Sequence, residues 1–284
     1  MDAVRTVVAA DTSFLVRETG QDGAADGTPV LLLHGVPETS SCWRDLAPAL
    51  AHGRRVLAPD LPGLGGSTYT GPYDVPSVVA QVAALLEAEG IAQVDLAGHD
   101  WGGIIAFGLA AQRPDLVRRL VVANAPYHAP MPPWRGLYVA FFALPVLPEA
   151  AFRAAGRRIV DVMLRVGWGD GAPLDAERRA EYEAAYSTTA GVRAMLGYYR
   201  AVARPRRGAL RFGTALAQDV GDVQVPGVTL VWGAGDPALP ISVAEDAAKR
   251  LGPDTRVVTV PGAGHFVLEE APEVVAEVLQ EAFA

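Results

Sequence analysis

The run Gly98-His99-Asp100-Trp101-Gly102-Gly103 indicates the fold of this chain, because a strand pattern ends at it and a helical pattern follows it. The strand pattern is Val94-Asp95-Leu96-Ala97, and the helical pattern covers Ile104–Gln112. Glycines on both sides of Asp100 permit a sharp turn and let strand and helix pack closely. An isolated Gly-x-Asp-x-Gly also fits an aspartate that caps a helix. The strand before the turn favours instead a nucleophile turn of the type G-x-S-x-G, with aspartate in the serine position.

An aspartate at the tip of such a turn has its own chemistry. The turn lifts the side chain above the sheet edge, where backbone N–H groups of the following helix point at it. A carboxylate can attack an electrophilic sp³ carbon and form an alkyl ester with the protein. A nearby histidine would then activate water to hydrolyse that ester. The sequence therefore predicts that Asp100 is a nucleophile that does not follow the serine route to ordinary esters and amides.

Short apolar runs alternate with helical patterns along most of the chain. Six runs have the continuous apolar character of buried strands: Val30–Leu33, Arg55–Ala58, Val94–Ala97, Leu120–Ala123, Val228–Trp232 and Arg256–Val260. Helical periodicity occurs at Val75–Glu89 and at Val274–Phe283. This alternation predicts an α/β fold with a mostly parallel twisted sheet and helices on both of its faces.

The alternation stops between about residues 127 and 215, where only helical patterns occur. The predicted helices are Trp134–Leu144, Glu149–Val166, Ala176–Ser187 and Gly191–Ala203. Ligands of such sheets bind at the strand ends, so a helical insertion there predicts a lid over the active-site face. We accordingly divide the chain into a core domain of residues 1–128 and 216–284 and a helical lid of residues 129–215.

Two residues near the C-terminus fit the roles of base and orienting acid. His265 follows the last predicted strand in Gly262-Ala263-Gly264-His265-Phe266, where a histidine in a glycine-rich loop suits a general base. Asp236 follows the preceding strand in Gly233-Ala234-Gly235-Asp236-Pro237, although Gly-Asp-Pro alone is mainly a turn signal. The chain order of Asp100, Asp236 and His265 is nucleophile, acid, base, as in the α/β-hydrolases. Asp236 would hold the His265 tautomer and stabilise its charged form.

Together these motifs resemble the epoxide hydrolase and haloalkane dehalogenase branch of the α/β-hydrolase fold. The matching runs are His34-Gly35-Val36-Pro37-Glu38 with Trp43-Arg44, Asp60-Leu61-Pro62-Gly63 with Gly66-Ser67, Gly98–Gly103, Gly235-Asp236 and Gly264-His265. They span nearly the whole predicted core, whereas the lid matches more loosely. The resemblance implies an oxyanion hole formed by the backbone N–H groups of Val36 and Trp101. We also expect the substrate to contact His34, Trp101, Phe141 and Phe266.

Two tyrosines of the lid favour one activity of this branch over the other. An epoxide oxygen leaves as an alkoxide and needs a proton, whereas a halide leaves without one. Tyr138 precedes Pro145 by seven residues, and Tyr199 lies in Gly197-Tyr198-Tyr199-Arg200. Both patterns are similar to those of the proton-donating lid tyrosines of epoxide hydrolases. The resemblance therefore implies an epoxide hydrolase, in which Tyr138 and Tyr199 protonate the oxirane oxygen while Asp100 attacks a ring carbon, and water activated by His265 releases a vicinal diol.

A haloalkane dehalogenase with the same nucleophile is the alternative. Trp101 follows Asp100, as a halide-binding tryptophan does in the dehalogenases, but Val36 stands where many of them carry asparagine. Trp134 or Trp168 of the lid could supply a second halide donor. A hydrolase-fold protein that only binds a ligand is a third interpretation. It is disfavoured because binding alone does not require the complete set of three core residues and two tyrosines.

Composition bears on compartment and partners. The 284 residues carry a formal net charge of −8, which disfavours nonspecific binding to nucleic acid. The one cysteine, Cys42, has no internal disulfide partner, and no apolar run reaches the ~20 residues of a membrane span. The N-terminus does not resemble a signal peptide. We expect a cytoplasmic protein without a membrane or nucleic-acid partner, a metal or another cofactor, which acts on a small apolar epoxide and water; its oligomeric state is open.

Overall fold

The computed structural model describes residues 3–20, 27–128, 137–203 and 219–284. Within these residues the strands are β1 Ala3–Ala9, β2 Thr12–Thr19, β3 Val30–Leu33, β4 Val56–Pro59, β5 Val94–His99, β6 Val117–Ala123, β7 Thr229–Gly233 and β8 Arg256–Val260. They form one sheet in the order β1-β2-β4-β3-β5-β6-β7-β8. The strands from β4 to β8 in this order pair in parallel. The prediction of a mostly parallel sheet is confirmed.

Helices cover the central strands. In the described ranges they are α1 Ala47–Leu50, α2 Val75–Ala88, α3 Trp101–Gln112, α4 Leu137–Ala143, α5 Leu147–Gly167, α6 Ala176–Ala185, α7 Thr189–Val202, α8 Ile241–Leu251, α9 Val267–Glu270 and α10 Pro272–Phe283. Every residue of β3, β5 and β7 is buried. Because successive strand residues point to opposite faces, the sheet must be covered on both. The continuous apolar runs in the sequence arise from this burial.

The sequence pattern does not predict the antiparallel edge formed by β1 and β2. The pairing of β1 with β2, and of β2 with β4, is antiparallel. Along β1, half-buried residues alternate with exposed ones, so no continuous apolar run marks it. Ion pairs of 2.7 Å join Arg5 of β1 to Glu18 of β2 and to Glu89 at the end of α2. A strand covered on one face needs only alternating apolar residues, and a search for continuous apolar runs overlooks it.

Four helices, α4 to α7, lie between β6 and β7 in the described part of the chain, and no strand lies among them. The ends of α5, α6 and α7 agree with the predicted helices to within two residues. The predicted helix Trp134–Leu144 corresponds to α4, with its first three residues outside the described ranges. Helix α4 packs against α7, and α5 packs against α6 and α7. The proposed lid boundaries at 129 and 215 lie outside the described residues and stay a prediction.

Helices α4 and α5 carry exposed apolar side chains. Leu137 and Leu147 are exposed at their starts, and Val162 and Val166 are exposed on the last turns of α5. No single helix in the described ranges is long and apolar enough to cross a membrane. By length and composition α4 and α5 would meet that criterion only as a pair, with a bend of 110° between them.

Candidate active site

Asp100 lies between β5 and α3 in a backbone conformation that side chains rarely adopt. Its φ is 49° and its ψ is −117°, a strain of about 1–3 kcal/mol that persists only where surrounding contacts determine it. A Cβ atom on Gly98 would overlap the carbonyl oxygen of Gly102, and one on Gly102 would overlap the carbonyl oxygen of Leu33. The close approach of β3, β5 and α3 therefore requires these glycines and leads to the strained turn.

The two carboxylate oxygens of Asp100 have different neighbours. Oδ1 accepts a hydrogen bond of 2.9 Å from the backbone N–H of Val36, whereas Oδ2 lies 3.5 Å from Nε2 of His265. A Cβ atom on Gly35 would lie 2.5 Å from the Cβ of Asp100, so the Val36 loop also depends on glycine for its approach. Trp101 is the first residue of α3, where a backbone N–H has no partner within the helix. One predicted oxyanion-hole donor thus binds Oδ1, and the histidine lies beside Oδ2.

His265 and Asp236 form the second contact of the predicted triad. Nδ1 of His265 lies 2.8 Å from Oδ2 of Asp236. Burial alone would lower the pKa of His265, but the charge of Asp236 and the hydrogen bonds with Asp100 and Asp236 raise it well above its usual range. Burial would raise the pKa of Asp236, and the neighbouring His265 reverses this and lowers it. The structure therefore brings all three predicted residues together, with Nδ1 of His265 facing Asp236 and Nε2 facing Asp100.

Asn124 orients Asp236 and was not identified from the sequence. Its side-chain Nδ2 donates to Oδ2 of Asp236 at 2.6 Å. The backbone N–H groups of Ala238 and Leu239 donate to Oδ1 of the same carboxylate at 2.7 and 2.9 Å. Asn124 directly follows β6 and has a φ of 42°. The available signal was its position: a polar residue that ends a buried strand at the edge where the other functional residues lie.

A buried ion pair beneath His265 connects the Val36 loop with the His265 loop. Nε2 of His99 lies 2.8 Å from the carbonyl oxygen of His265, and Nδ1 lies 2.7 Å from Oε2 of Glu38. Both partners are acceptors, so both ring nitrogens must donate and His99 is an imidazolium. Burial alone would lower the pKa of His99, but the charge of Glu38 raises it. Glu38 also accepts the backbone N–H of Gly35 at 2.9 Å and thereby ties the Val36 loop to the His265 loop.

The predicted tyrosines lie on two different helices and contact each other. The ring centroids of Tyr138 on α4 and Tyr199 on α7 are 6.0 Å apart in an edge-to-face arrangement. Burial, and then the negative charge of Asp100, raises the pKa of the Tyr138 hydroxyl, although 38% of the residue surface is exposed. Burial, followed by the charges of Tyr138 and Asp100, also raises the pKa of Tyr199. Both hydroxyls therefore keep their protons at neutral pH and can donate them to a neighbouring group.

A cavity of about 390 Å³ contains the two tyrosines together with Asp100 and His265 in its lining. The remaining lining residues are apolar side chains, proline and glycine: Val36, Pro37, Phe142, Val162, Met163, Val166, Gly167, Pro237, Ala238 and Phe266. Such a surface fits an uncharged apolar molecule whose reacting atoms lie near the carboxylate. In the described part of the chain, no three His, Cys, Asp or Glu side chains are grouped as a metal ion would require.

Of the four residues expected to contact substrate, Phe266 lines the cavity, whereas His34, Phe141 and Trp101 do not. Phe142 takes the place of Phe141. The reason is helical geometry: Tyr138 and Phe142 are four residues apart and lie on one face of α4. His34 is fully buried and accepts the backbone N–H of Leu61 at 2.9 Å, so it supports a loop and does not reach the cavity.

The described tryptophans that could bind a halide contact other protein groups and do not line the cavity. The Trp101 ring packs edge-on against Tyr198 and Tyr199, with centroids 5.3 Å from each, and is absent from the cavity lining. The indole N–H of Trp168 donates to the carbonyl oxygen of Ala172 at 2.9 Å. Trp134 lies outside the described residues. Neither described tryptophan therefore directs a free indole donor into this cavity.

Comparisons with known proteins agree with this architecture. A family model described as alpha/beta hydrolase fold matches residues 28–272. Epoxide hydrolase A of Mycobacterium tuberculosis is 27% identical over 308 residues, with 93% of this chain and 92% of that protein covered. A haloalkane dehalogenase of Mycobacterium marinum is 38% identical over 175 residues, with 57% of this chain and 58% of the dehalogenase covered.

Solved structures extend the similarity to the whole chain. The crystal structure of Epoxide Hydrolase A from Mycobacterium thermoresistibile superimposes with a TM-score of 0.78 at 26% identity, with 98% of this chain and 97% of that chain covered. Because the coverage includes the helices between β6 and β7, the similarity is not confined to the sheet.

Proposed function

The chain belongs to the α/β-hydrolase fold family, as a hydrolase of the epoxide hydrolase and haloalkane dehalogenase branch, and on this premise we propose that it hydrolyses an apolar epoxide to a vicinal diol. The observation that carries the proposal is the cavity that Tyr138 and Tyr199 share with Asp100 and His265. A carboxylate nucleophile alone would fit both activities of the branch. Two protonated tyrosines facing the nucleophile supply the proton that an alkoxide leaving group needs.

Ring opening begins at Asp100. Oδ2 forms a bond to a ring carbon, because Oδ1 is held by the Val36 N–H. The bond between that carbon and the epoxide oxygen breaks, and the oxygen takes a proton from Tyr138 or Tyr199. The products are a hydroxyalkyl ester on Asp100 and one tyrosinate. The raised pKa of each tyrosine makes the tyrosinate a strong base, which regains a proton readily.

Loss of the Asp100 charge prepares the second step. In the free protein, Asp100 contributes to the raised pKa of His265. Esterification neutralises Asp100, so the pKa of His265 falls and its proton becomes available to restore the tyrosine. Neutral His265, oriented by Asp236 at 2.8 Å, then takes a proton from water. The resulting hydroxide attacks Cγ of Asp100, and the diol leaves with the proton returned from His265. The new carboxyl group of Asp100 then passes its own proton to His265, which restores the starting state.

The oxyanion hole acts in this second step. Attack on Cγ develops negative charge on the carboxyl oxygen that was not alkylated, which is Oδ1. The Val36 N–H already lies 2.9 Å from that oxygen, and the Trp101 N–H is the second predicted donor. Removal of one such donor typically costs about 10²–10³-fold in turnover.

Single-turnover labelling tests this mechanism. With enzyme in excess over styrene oxide in H₂¹⁸O, the first diol should contain no label, because its new oxygen comes from Asp100. The label should instead be found in a peptide that contains Asp100. A His265→Gln variant should accumulate the ester as a mass increase equal to one substrate, whereas Asp100→Ala should show none. Label in the first diol would overturn the proposal of a covalent intermediate.

The dehalogenase activity is tested with the same preparation. The similarity to the Mycobacterium marinum dehalogenase gives this alternative its weight. Bromide release from 1,2-dibromoethane, measured by ion chromatography, without diol formation from a set of aryl and alkyl epoxides would favour it. Diol formation that depends on Asp100, with little bromide release, is the result we expect.

A further inference from the structure

The end of α5 and the loop that carries His265 are hydrogen-bonded to each other over several residues. The carbonyl oxygen of Gly167 accepts the backbone N–H of His265 at 2.7 Å. The N–H of Asp170 donates to the carbonyl oxygen of Gly262, also at 2.7 Å. We call residues 167–172 the lid end and residues 262–266 the base loop. Because Gly167 also lines the cavity, this contact joins the cavity wall to the base itself.

The carboxylate of Glu270 binds both of these segments. Oε2 accepts the backbone N–H of Gly169 in the lid end at 2.7 Å. Both carboxylate oxygens lie 3.0 Å from the backbone N–H of Gly264, the residue before His265. Glu270 is only 4% exposed. Burial raises its pKa, and the N–H donors, first that of Gly264, oppose this rise. A buried carboxylate of this kind is held by its donors and in turn holds them in place.

The two segments have no room to move past each other. A Cβ atom on Gly169 would lie 2.5 Å from the backbone nitrogen of Gly264. The ring of Trp168 stacks on Phe266 with centroids 5.4 Å apart. These contacts and the two backbone hydrogen bonds hold the segments against each other. The carboxylate of Glu270 adds a further connection, because it accepts backbone N–H groups from both segments.

We propose that Glu270 is a positioning residue for His265, whose carboxylate holds the base loop against the lid end so that the imidazole stays aligned for activation of water. This inference rests on the proposed function, since it concerns the hydrolysis of the Asp100 ester. Glu270 does not line the cavity, so it acts through Gly264 and His265. Attack by Asp100 does not require His265 as a base. Loss of the carboxylate should therefore slow ester hydrolysis more than ester formation.

Glu270→Gln is the direct variant, because glutamine keeps the size of the side chain. Its amide has one acceptor oxygen, and its NH₂ group would face the second N–H donor. In single-turnover experiments with styrene oxide we expect the rate constant for ester hydrolysis to fall about tenfold or more, since small misplacements of a catalytic group have effects of this size. The rate constant for ester formation should change less than about twofold, within the effect of a distant substitution. In the steady state kcat and KM should then fall together, with kcat/KM nearly unchanged.

Two further variants separate positioning from loss of folded protein. Glu273→Gln removes an exposed carboxylate in the first turn of α10 and should leave both rate constants unchanged. Glu270→Asp keeps the charge and both acceptor oxygens, and should recover part of the hydrolysis rate. A fall in kcat of Glu270→Gln with unchanged KM would indicate fewer active molecules and would overturn the positioning role. Equal losses in both rate constants would overturn it as well.

Hydrogen–deuterium exchange tests the contact without turnover. In Glu270→Gln the amides of Gly169 and Gly264 should exchange faster, while those of β5 should not change. Unaltered exchange in both segments would refute the contact even if the wild-type protein hydrolyses epoxides. Faster exchange in a protein that forms no diol would instead support the contact and refute the proposed function.

Discussion

The turn that carries Asp100 and the helices that carry Tyr138 and Tyr199 line the same cavity and are held there by different contacts. At the turn, backbone atoms of neighbouring segments are in direct contact: a Cβ atom on Gly102 would overlap the Leu33 carbonyl oxygen. On helices α4 and α7, aromatic rings pack against each other: the centroid of Tyr199 lies 5.3 Å from that of Trp101 and 5.0 Å from that of Phe142.

This difference determines which kind of substitution each region tolerates. A backbone turn depends on the absence of side chains, so any larger residue at its glycines disturbs the fold. A ring contact depends on shape, so removal of a hydroxyl leaves the packing in place and changes only the chemistry. Asp100 is therefore held in place by steric constraint, whereas the hydroxyls of Tyr138 and Tyr199 can be removed without loss of the contacts that position their rings.

Asp100→Ala should have the largest effect on diol formation, and it tests whether the side chain at this turn is the nucleophile. Diol formation should fall by about four orders of magnitude or more, as happens when a nucleophile is removed. The free energy of unfolding should change by about 1 kcal/mol, since one hydrogen bond from Val36 is lost and the strained φ remains. Steady-state assays and urea unfolding measure the two quantities. Substantial diol formation by this variant would contradict the assignment of the nucleophile.

Tyr138→Phe and Tyr199→Phe should have the next largest effect and test the lid. Either hydroxyl can protonate the epoxide oxygen, so each single variant should lose less than the double variant. The double variant should form the ester about 10²–10⁴-fold more slowly, the range for loss of general acid catalysis. Formation of the ester in a His265→Gln background, followed by mass spectrometry, isolates this step.

Tyr198→Phe is the matched control for the lid tyrosines. Its hydroxyl donates to the carbonyl oxygen of Pro62 at 2.9 Å and does not line the cavity. It should lose about 1 kcal/mol of stability, the usual value of one hydrogen bond, and keep its rate of ester formation. An equal loss of rate in Tyr198→Phe and Tyr199→Phe would show that packing, and not proton donation, underlies the effect.

Gly102→Ala and Gly156→Ala compare the two regions by their effect on the free energy of unfolding alone. The new Cβ at position 102 would overlap the Leu33 carbonyl oxygen, and overpacking of this kind costs about 1–3 kcal/mol or more. At position 156, on α5, the nearest atom to a Cβ is 3.4 Å away. Ala155 interrupts the helical backbone directly before this position, so alanine there should change the free energy of unfolding by less than about 1 kcal/mol. Urea unfolding measures both changes, and a destabilised Gly156→Ala together with an unaffected Gly102→Ala would reverse the comparison.

The sequence predicts those residues of the candidate site that directly follow a strand. Asp100, Asp236 and His265 each follow a buried apolar run, and parallel strands bring such positions to one edge of the sheet. Asn124 also follows a buried strand, but an asparagine there usually indicates a turn, so the sequence does not predict its contact with Asp236. The edge strand β1 was missed for a related reason, since its one-sided burial leaves no continuous apolar run.

Contacts that depend on helix orientation could not be predicted in the same way. Phe141 and Phe142 are adjacent and equally apolar, and only the packing of α4 decides that Phe142 lines the cavity. His34 stands in a loop of the active site, yet its bond to Leu61 turns it away from the cavity. The contact of Glu270 with Gly169 depends on the packing of the lid end beside the base loop, which no local sequence pattern indicates.

By itself the sequence determined the alternation of the parallel strands with helices and the positions of Asp100, Asp236 and His265 at strand ends. These features depend on local backbone sterics and on hydrophobic periodicity, which neighbouring residues express directly. Tertiary structure alone decided that Oδ1 of Asp100 is held by Val36 while Oδ2 lies beside His265. It also decided that Tyr138 and Tyr199 reach one cavity and that Glu270 joins two segments about 100 residues apart. Such contacts are made between side chains distant in the chain, whose positions are set by the close packing of the whole interior.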